Sequence, residues 1–176
     1  MLTQQDSLTG LMSTADILCS AKAKYRIGDY QEAIVEYTLA IQFAPNIAVA
    51  YSCRGDAYAK IGEVEKAMAD YNRSTQLDPK AVVNYYRRGN IYYSAKNYSQ
   101  ALAEYSQAIE LKPDFALAYI GRGHANRELY GDTEGLSDWK IAAQLFQKQN
   151  NSEQYEYVMG LIDLSTSIDT LSGMLE

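Results

Sequence analysis

The chain has 176 residues, of which 47% are hydrophobic and 22% charged, a balance typical of a folded globular protein. Its 16 Lys and Arg residues against 22 Asp and Glu residues give a formal net charge of −6. This charge disfavours general nucleic-acid binding, because domains that bind nucleic acid are usually basic. No apolar run is long enough to span a bilayer, and the first twenty residues hold no Lys or Arg for a secretory leader, so we expect a cytoplasmic protein without membrane insertion.

Residues 1–13 contain large apolar side chains that follow no helical or strand period. We predict that this segment is an N-terminal tail or a loose cap. The first regular helix is expected from about Thr14, with Ser13 or Thr14 as its N-cap and Asp16 in its first turn.

From residue 14 to residue 149 the sequence repeats with a period of 34 residues, which is also the spacing of the three prolines, Pro45, Pro79 and Pro113. The four repeats are 14–47, 48–81, 82–115 and 116–149, and a position is counted from the first residue of its repeat. Positions 8 and 20 are always small and position 24 is always aromatic. These residues are Ala21, Gly55, Gly89 and Gly123; Ala33, Ala67, Ala101 and Gly135; Tyr37, Tyr71, Tyr105 and Trp139.

The spacings 4, 8, 11 and 20, 24, 27 are helical, so each repeat is predicted to be a hairpin of two helices, A and B. Gly28, Gly62 or Asn97 lies near the break between them. With the segments RGDAY, RGNIY and RGHAN, this pattern closely resembles the tetratricopeptide repeat (TPR) family, in the form common in bacterial, notably cyanobacterial, proteins. The resemblance implies an all-α fold, a right-handed superhelical solenoid of four TPR repeats.

The fourth repeat departs from this pattern. Asn126 replaces the aromatic residue at position 11, and residue 147 is not proline. The segment ELYGDTEGLSDW suggests one extra residue before the turn and one fewer after it.

Residues 150–176 are predicted to form a C-terminal capping helix and tail. Asn151 with Gln154 three residues later is typical of a helix start. A stripe that includes Tyr155, Val158 and Ile162 would cover the exposed face of the last repeat, as solenoids require. A membrane-surface helix is the disfavoured alternative, because few cations flank the stripe.

Candidate catalytic and metal-binding residues are few. His124 and Glu128 have the spacing of a metal pair, but no third ligand is evident, and we expect no metal, no cofactor and no enzyme activity. Cys19 and Cys53 occupy position 6 of adjacent repeats. Helices that pack about 8–10 Å apart hold such cysteines beyond disulfide reach, so free thiols are predicted.

Arginine recurs at position 7 as Arg54, Arg88 and Arg122, and an acid recurs at position 23 of every repeat. We predict a structural ladder in which each arginine pairs with the acid 18 residues earlier, on the preceding B helix. The alternative is a functional arginine row that binds phosphate or carboxylate. The acids are Glu36, Asp70, Glu104 and Asp138.

Positions 2, 5, 6, 9, 12 and 13 of the A helices lie opposite their packing side, and the TPR resemblance implies that they line a concave groove. We call this surface the groove face. It carries five cations against two acids, together with three tyrosines that the repeat pattern does not require. Aromatic residues with arginine are typical of peptide-binding hot spots. The alternative is that the long cationic side chains only extend into solvent at the rim of the groove and bind nothing. The predicted peptide-binding residues are Lys22, Tyr25, Arg26, Asp56, Lys60, Tyr86, Arg87, Asn90, Tyr93, His124 and Arg127.

The predicted function is a non-catalytic protein-interaction adaptor that binds an acidic peptide or protein segment in this groove. The alternative is a self-associating scaffold, a homo-oligomer assembled through its terminal faces. Recognition of a chaperone's acidic tail is disfavoured, because only the last of the residues at the clamp positions of chaperone-binding TPRs fits. Those residues are Leu18, Lys22, Cys53, Val83 and Arg87.

Overall fold

The computed structural model describes residues 13–131 and 133–172, with side chains as far as residue 167. This part of the chain contains nine α-helices and no strand. The predicted tail or cap lies outside the described residues apart from Ser13. The helices are α1 (Thr14–Arg26), α2 (Tyr30–Phe43), α3 (Ala48–Lys60), α4 (Val64–Leu77), α5 (Val82–Ser94), α6 (Tyr98–Leu111), α7 (Ala116–Tyr130), α8 (Leu136–Lys148) and α9 (Ser152–Ser172).

The first eight helices form four hairpins, in which the odd-numbered helices are the A helices. Helix α1 begins with a capping box: the Asp16 backbone N–H donates to Ser13 Oγ at 3.2 Å, and the Ser13 N–H donates to the Asp16 carboxylate at 3.0 Å. These bonds confirm the predicted N-cap and lower the pKa of Asp16.

The turns inside the first three hairpins require a left-handed residue at position 15. Gly28 and Gly62 adopt φ values of 86° and 81° there. In the third repeat Lys96 takes this conformation with φ 58°, whereas Asn97, which the sequence suggested at the break, is the N-cap of α6. Position 15 therefore accepts a residue with a side chain, although the left-handed conformation has a steric cost for such residues.

The chain divides into two compact units, the N-terminal unit (Met1–Asn84) and the C-terminal unit (Tyr85–Glu176). In the N-terminal unit, Ala21, Ala33 and Tyr37 form a buried cluster between α1 and α2. In the C-terminal unit, Trp139 and Phe146 of α8 belong to a larger cluster. That cluster also includes Val158 and Ile162 of α9, which confirms the predicted capping helix.

Small residues at position 8 allow the aromatic ring at position 24 to lie against the A-helix backbone. A Cβ atom built on Gly55 would come within 2.7 Å of the Tyr71 ring, and one on Gly89 within 2.6 Å of the Tyr105 ring. At Gly123 the nearest atom would be Trp139 Nε1, at 2.5 Å. The recurrence of small and large residues therefore reflects close helix packing.

Gly89→Ala is expected to lower the free energy of unfolding by about 2 kcal/mol, because the added methyl group must displace the buried Tyr105 ring. The matched control is Gly160→Ala in α9, where a Cβ meets no atom within 4 Å. This control should raise stability by up to about 1 kcal/mol, since alanine favours a helix. Urea denaturation of both variants measures the difference, and equal effects would contradict the packing.

The fourth hairpin differs from the others at its turn. Helix α7 has 15 residues where α1, α3 and α5 have 13, Gly131 follows with φ 122°, and α8 begins at Leu136. The sequence predicted one extra residue before this turn, and α7 is in fact two residues longer than the other A helices. Helix α8 begins four positions later in its repeat than α2, α4 and α6 do. Trp139 is still buried, so the register after the turn is kept.

Helix α9 begins as the sequence predicts, with Asn151 Oδ1 accepting a hydrogen bond from the Gln154 backbone N–H at 3.2 Å. Val158 is fully buried against α8. Within the described ranges, no helix combines the length and the apolar character needed to cross a bilayer.

Candidate functional site

The recurring arginines form ion pairs inside their own hairpins. Both Arg54 Nε and Nη2 donate to the Asp70 carboxylate at 2.8 Å. Arg88 donates to Glu104, and Arg122 to the Asp138 carboxylate at 2.6 and 2.9 Å. The predicted pairing with the acid 18 residues earlier is therefore wrong, because the partners are 16 residues apart. Positions 7 and 23 lie equally far from the turn, so antiparallel helices place them opposite each other.

Two arginines also reach a hydroxyl group at position 25 of the preceding repeat. Arg54 Nη1 donates to Thr38 Oγ1 at 3.0 Å, and Arg122 Nη1 donates to Ser106 Oγ at 3.5 Å. The Arg54 and Asp70 side chains are only 16% and 7% exposed. Hydrogen bonding to Asp70 raises the pKa of Arg54 further. These guanidinium groups join neighbouring helices. Their contacts favour a structural role for the arginines over a role in binding phosphate or carboxylate.

The first repeat has the acid of this ladder without its arginine. Position 7 is Ser20, and Glu36 Oε2 is buried without a hydrogen-bond partner among the residues that the structure describes. A buried acceptor left unsatisfied lowers stability. The first hairpin therefore has an incomplete version of the contact that the other three share.

Ser20→Arg is expected to raise the free energy of unfolding by about 1 kcal/mol, because the new guanidinium would donate to Glu36 as Arg54 does to Asp70. Thermal and urea unfolding measure this gain. In a Glu36→Ala background, which removes the acceptor, the gain should disappear. An equal gain in both backgrounds would show that the arginine acts elsewhere.

Predicted groove residues of the N-terminal unit lie on α1 and α3. Lys22, Arg26 and Lys60 are exposed. Tyr25 packs edge-to-face on Tyr30, with ring centroids 5.3 Å apart. The Asp56 carboxylate accepts a hydrogen bond from the Tyr71 hydroxyl at 2.9 Å, so this acid is held by the framework. The three cations are thus the exposed charges of this set.

A hydrogen bond between the side chains at positions 9 and 24 recurs in the second and third repeats, and it was not predicted from the sequence. The Tyr71 hydroxyl donates to Asp56, and the Tyr105 hydroxyl donates to Asn90 Oδ1 at 2.8 Å. In the fourth repeat both residue types change, and His124 packs edge-to-face on Trp139 at 5.3 Å. Tyrosine rather than phenylalanine at position 24 was the available signal, because a buried tyrosine hydroxyl usually has a partner.

Tyr86, Asn90, Tyr93 and His124 of the predicted groove come together in the C-terminal unit. Tyr86 packs on Phe115 at 5.3 Å, and Tyr93 lies 6.2 Å from the His124 ring. These four residues line a cavity of about 290 Å³, which we call the aromatic pocket. Its remaining lining residues are Tyr105, Leu117, Ile120, Gly121, Gln154 and Tyr157.

Arg87 and Arg127 do not line the aromatic pocket. Both are half-buried, and Arg127 Nη2 donates to Glu128 Oε1 at 3.0 Å. Helix α9 contributes Gln154 and Tyr157, which lie in the segment 150–176 that the sequence predicts only as a cap and tail. Their part in the pocket could not be read from the repeat, because α9 follows none of its positions.

Burial lowers the pKa of His124, and Arg127 lowers it further, while Glu128 acts in the opposite direction. The Nδ1 atom is buried without a hydrogen-bond partner among the described residues. Over the same ranges, no three His, Cys, Asp or Glu residues are grouped closely enough to hold a metal ion. Cys19 and Cys53 are not joined in a disulfide, in agreement with the prediction from their spacing.

The free energy of unfolding is expected to decrease as the pH falls below about 6.5, the pKa of an unfolded histidine, toward the lower pKa of folded His124. Folding favours the neutral His124 ring, so the contribution of this ring to the free energy of unfolding is complete above pH 6.5 and is lost in acid. Urea denaturation from pH 7.5 to 5 measures the slope. His124→Gln should remove this slope, and an unchanged slope in the variant would contradict the assignment to His124.

The comparisons with known proteins agree with this architecture. The family model described as TPR repeat matches residues 21–62, 55–96 and 89–129, which together span more than half of the chain. No match to the chain is found among the curated proteins.

Solved structures with a similar fold are TPR proteins. The crystal structure of MamA has a TM-score of 0.72 and 25% identity, covering 78% of this chain and 81% of MamA. The first TPR of Spaghetti (RPAP3), bound to the HSP90 peptide SRMEEVD, has a TM-score of 0.63 and 23% identity, covering 66% and 92%. The Arabidopsis OM64 TPR domain has a TM-score of 0.61 and 24% identity, covering 64% and 93%.

The repeat register, the four hairpins and the capping helix therefore form an all-α TPR solenoid, a fold typical of protein-interaction scaffolds. The chain belongs to the tetratricopeptide repeat family.

Proposed function

We propose that this protein is a non-catalytic interaction module that binds an acidic peptide segment of a partner protein on its groove face. The observation that carries the proposal is the set of exposed cations on α1 and α3, Lys22, Arg26 and Lys60, in a chain of net charge −6. Such a local reversal of charge attracts acidic segments and raises their association rate. The expected cytoplasmic location is part of this proposal.

A related fold supports the choice of a peptide ligand. The first TPR of Spaghetti (RPAP3) is bound to the peptide SRMEEVD, which has three acidic residues and one basic residue. At 23% identity, this neighbour supports the ability of the fold to bind an acidic peptide, but it does not indicate that the ligand is the same. Leu18, Cys53 and Val83 occupy clamp positions here, so we do not propose a chaperone tail as the partner.

Affinity capture from native cell extract tests the proposal with three baits. These are the unmodified chain, the double variant Lys60→Glu/Arg87→Glu on the groove face, and the control Lys80→Glu/Lys140→Glu. Both double variants change the net charge equally, and both control lysines are exposed outside the groove face. A partner retained by the control and lost by the groove variant supports the proposal, whereas retention by all three baits would contradict it.

Self-association through the terminal faces is the rival outcome. Light scattering of the purified chain over a hundredfold concentration range separates the two functions. A constant monomer mass is expected for the adaptor. A mass that rises with concentration and is insensitive to the groove variant would favour the scaffold.

A further inference from the structure

The aromatic pocket of the C-terminal unit allows the partner segment to be described more closely, an inference that rests on the proposed function. Tyrosine and histidine rings from α5, α6, α7 and α9 surround the pocket. Rings of this kind favour a further aromatic ring in edge-to-face or offset contact, with a gain beyond that of buried area alone. The five rings are Tyr86, Tyr93, Tyr105, Tyr157 and His124.

The pocket has enough room for one aromatic side chain. Its volume of about 290 Å³ lies just below the range of roughly 300–1,000 Å³ for small-molecule sites. At about 30 Å³ for each water molecule, this space holds roughly ten waters, and a bound ring would displace those that occupy its own volume. Displacement of water from aromatic walls favours binding of an apolar group.

The charge of the pocket selects against ionic side chains. None of its lining residues is Lys, Arg, Asp or Glu. Arg127 and Glu128 lie near Tyr93 and His124 and act in opposite directions on both rings, so an ion that enters the pocket would lose water without gaining a net counter-charge. A neutral occupant is therefore favoured.

Two amide side chains at the pocket provide hydrogen bonds for a polar ring. Asn90 is exposed, and its Oδ1 already accepts from the Tyr105 hydroxyl. The donor half of this amide therefore remains for a ligand. Gln154 of α9 offers a second amide, with a donor and an acceptor. A phenol hydroxyl suits both groups.

We propose that the aromatic pocket receives one uncharged aromatic side chain of the partner segment, preferably tyrosine. The acidic residues of that segment lie outside the pocket. The partner is thus an acidic segment with an aromatic anchor, a more specific ligand class than charge alone defines.

Single-residue probes test the pocket without a partner. The probes are N-acetyl-tyrosinamide, N-acetyl-leucinamide and N-acetyl-argininamide, each titrated into the full chain. His124 is the only histidine and Trp139 the only tryptophan, so the imidazole NMR signals, and the fluorescence excited where tyrosine does not absorb, each report one ring beside the site. We expect the tyrosine probe to shift both signals with a millimolar Kd at least fivefold below the others. Equal or tighter binding of the leucine or arginine probe, or no shift of His124, would overturn the proposal.

A matched pair of variants checks the location. Tyr157 lines the pocket and is 51% exposed, whereas Tyr130 lies outside it and is 68% exposed. Because both side chains are on the surface, replacement by alanine should leave folding intact. Tyr157→Ala should weaken binding of the tyrosine probe at least threefold and Tyr130→Ala should not change it. Equal effects of the two variants would place the probe elsewhere.

Failure of this inference is distinguishable from failure of the proposed function. If the tyrosine probe leaves His124 unchanged while the groove charge reversal still abolishes capture, the aromatic anchor is wrong and the interaction function stands. If the probe binds but the reversal leaves capture intact, the pocket chemistry is supported and the acidic-segment function is overturned.

Discussion

Arg54→Ala is expected to lower the free energy of unfolding by about 3 kcal/mol. The variant leaves the buried Asp70 carboxylate without the guanidinium that donates two hydrogen bonds to it, and an unpaired buried charge is strongly destabilising. Urea denaturation at pH 7 measures the loss. The exposed control Lys80→Ala should remain within about 0.5 kcal/mol of the unmodified chain.

Double-mutant cycles decide which acid is the partner. Arg54→Ala combined with Asp70→Ala should give a coupling energy of about 1–3 kcal/mol, because both side chains belong to one contact. Arg54→Ala combined with Glu36→Ala should be additive within about 0.5 kcal/mol. A larger coupling to Glu36 than to Asp70 would contradict the ladder inside the hairpins.

The fold was predictable because several constraints recur with one period. The prolines follow the ends of the B helices, and position 8 faces position 24 in a contact that leaves no room for a side chain at Gly55 or Gly89. Each of these features has a local cause that acts the same way in every repeat. The departure at Gly131 was visible only as a change of pattern, because the length of a turn depends on the helices that flank it.

The ion pairs were harder to predict because sequence spacing alone allows two partners. Arg54 reaches both its own hairpin, at Asp70, and the preceding one, at Thr38. Counting from the turn would have favoured Asp70, since antiparallel helices pair residues equally distant from it. The aromatic pocket was missed for another reason: Gln154 and Tyr157 come from α9, whose position relative to the groove face depends on tertiary packing.

Lys60→Glu/Arg87→Glu is expected to weaken binding of the captured partner more than tenfold, a loss above about 1.4 kcal/mol. The reason is that both new carboxylates repel the acidic segment. Helicity measured by circular dichroism should be unchanged. Because screening weakens charge interactions, raising the salt from 50 to 500 mM should weaken the unmodified complex and reduce the difference between the two chains.

Isothermal titration calorimetry of the captured partner segment against three chains, the unmodified one, Lys60→Glu/Arg87→Glu and Lys80→Glu/Lys140→Glu, tests the central claim most directly. We predict a micromolar Kd for the unmodified chain and the control, and a Kd more than tenfold weaker for the groove variant. An unchanged Kd in the groove variant, or an equal loss in the control, would contradict binding of an acidic segment on the groove face.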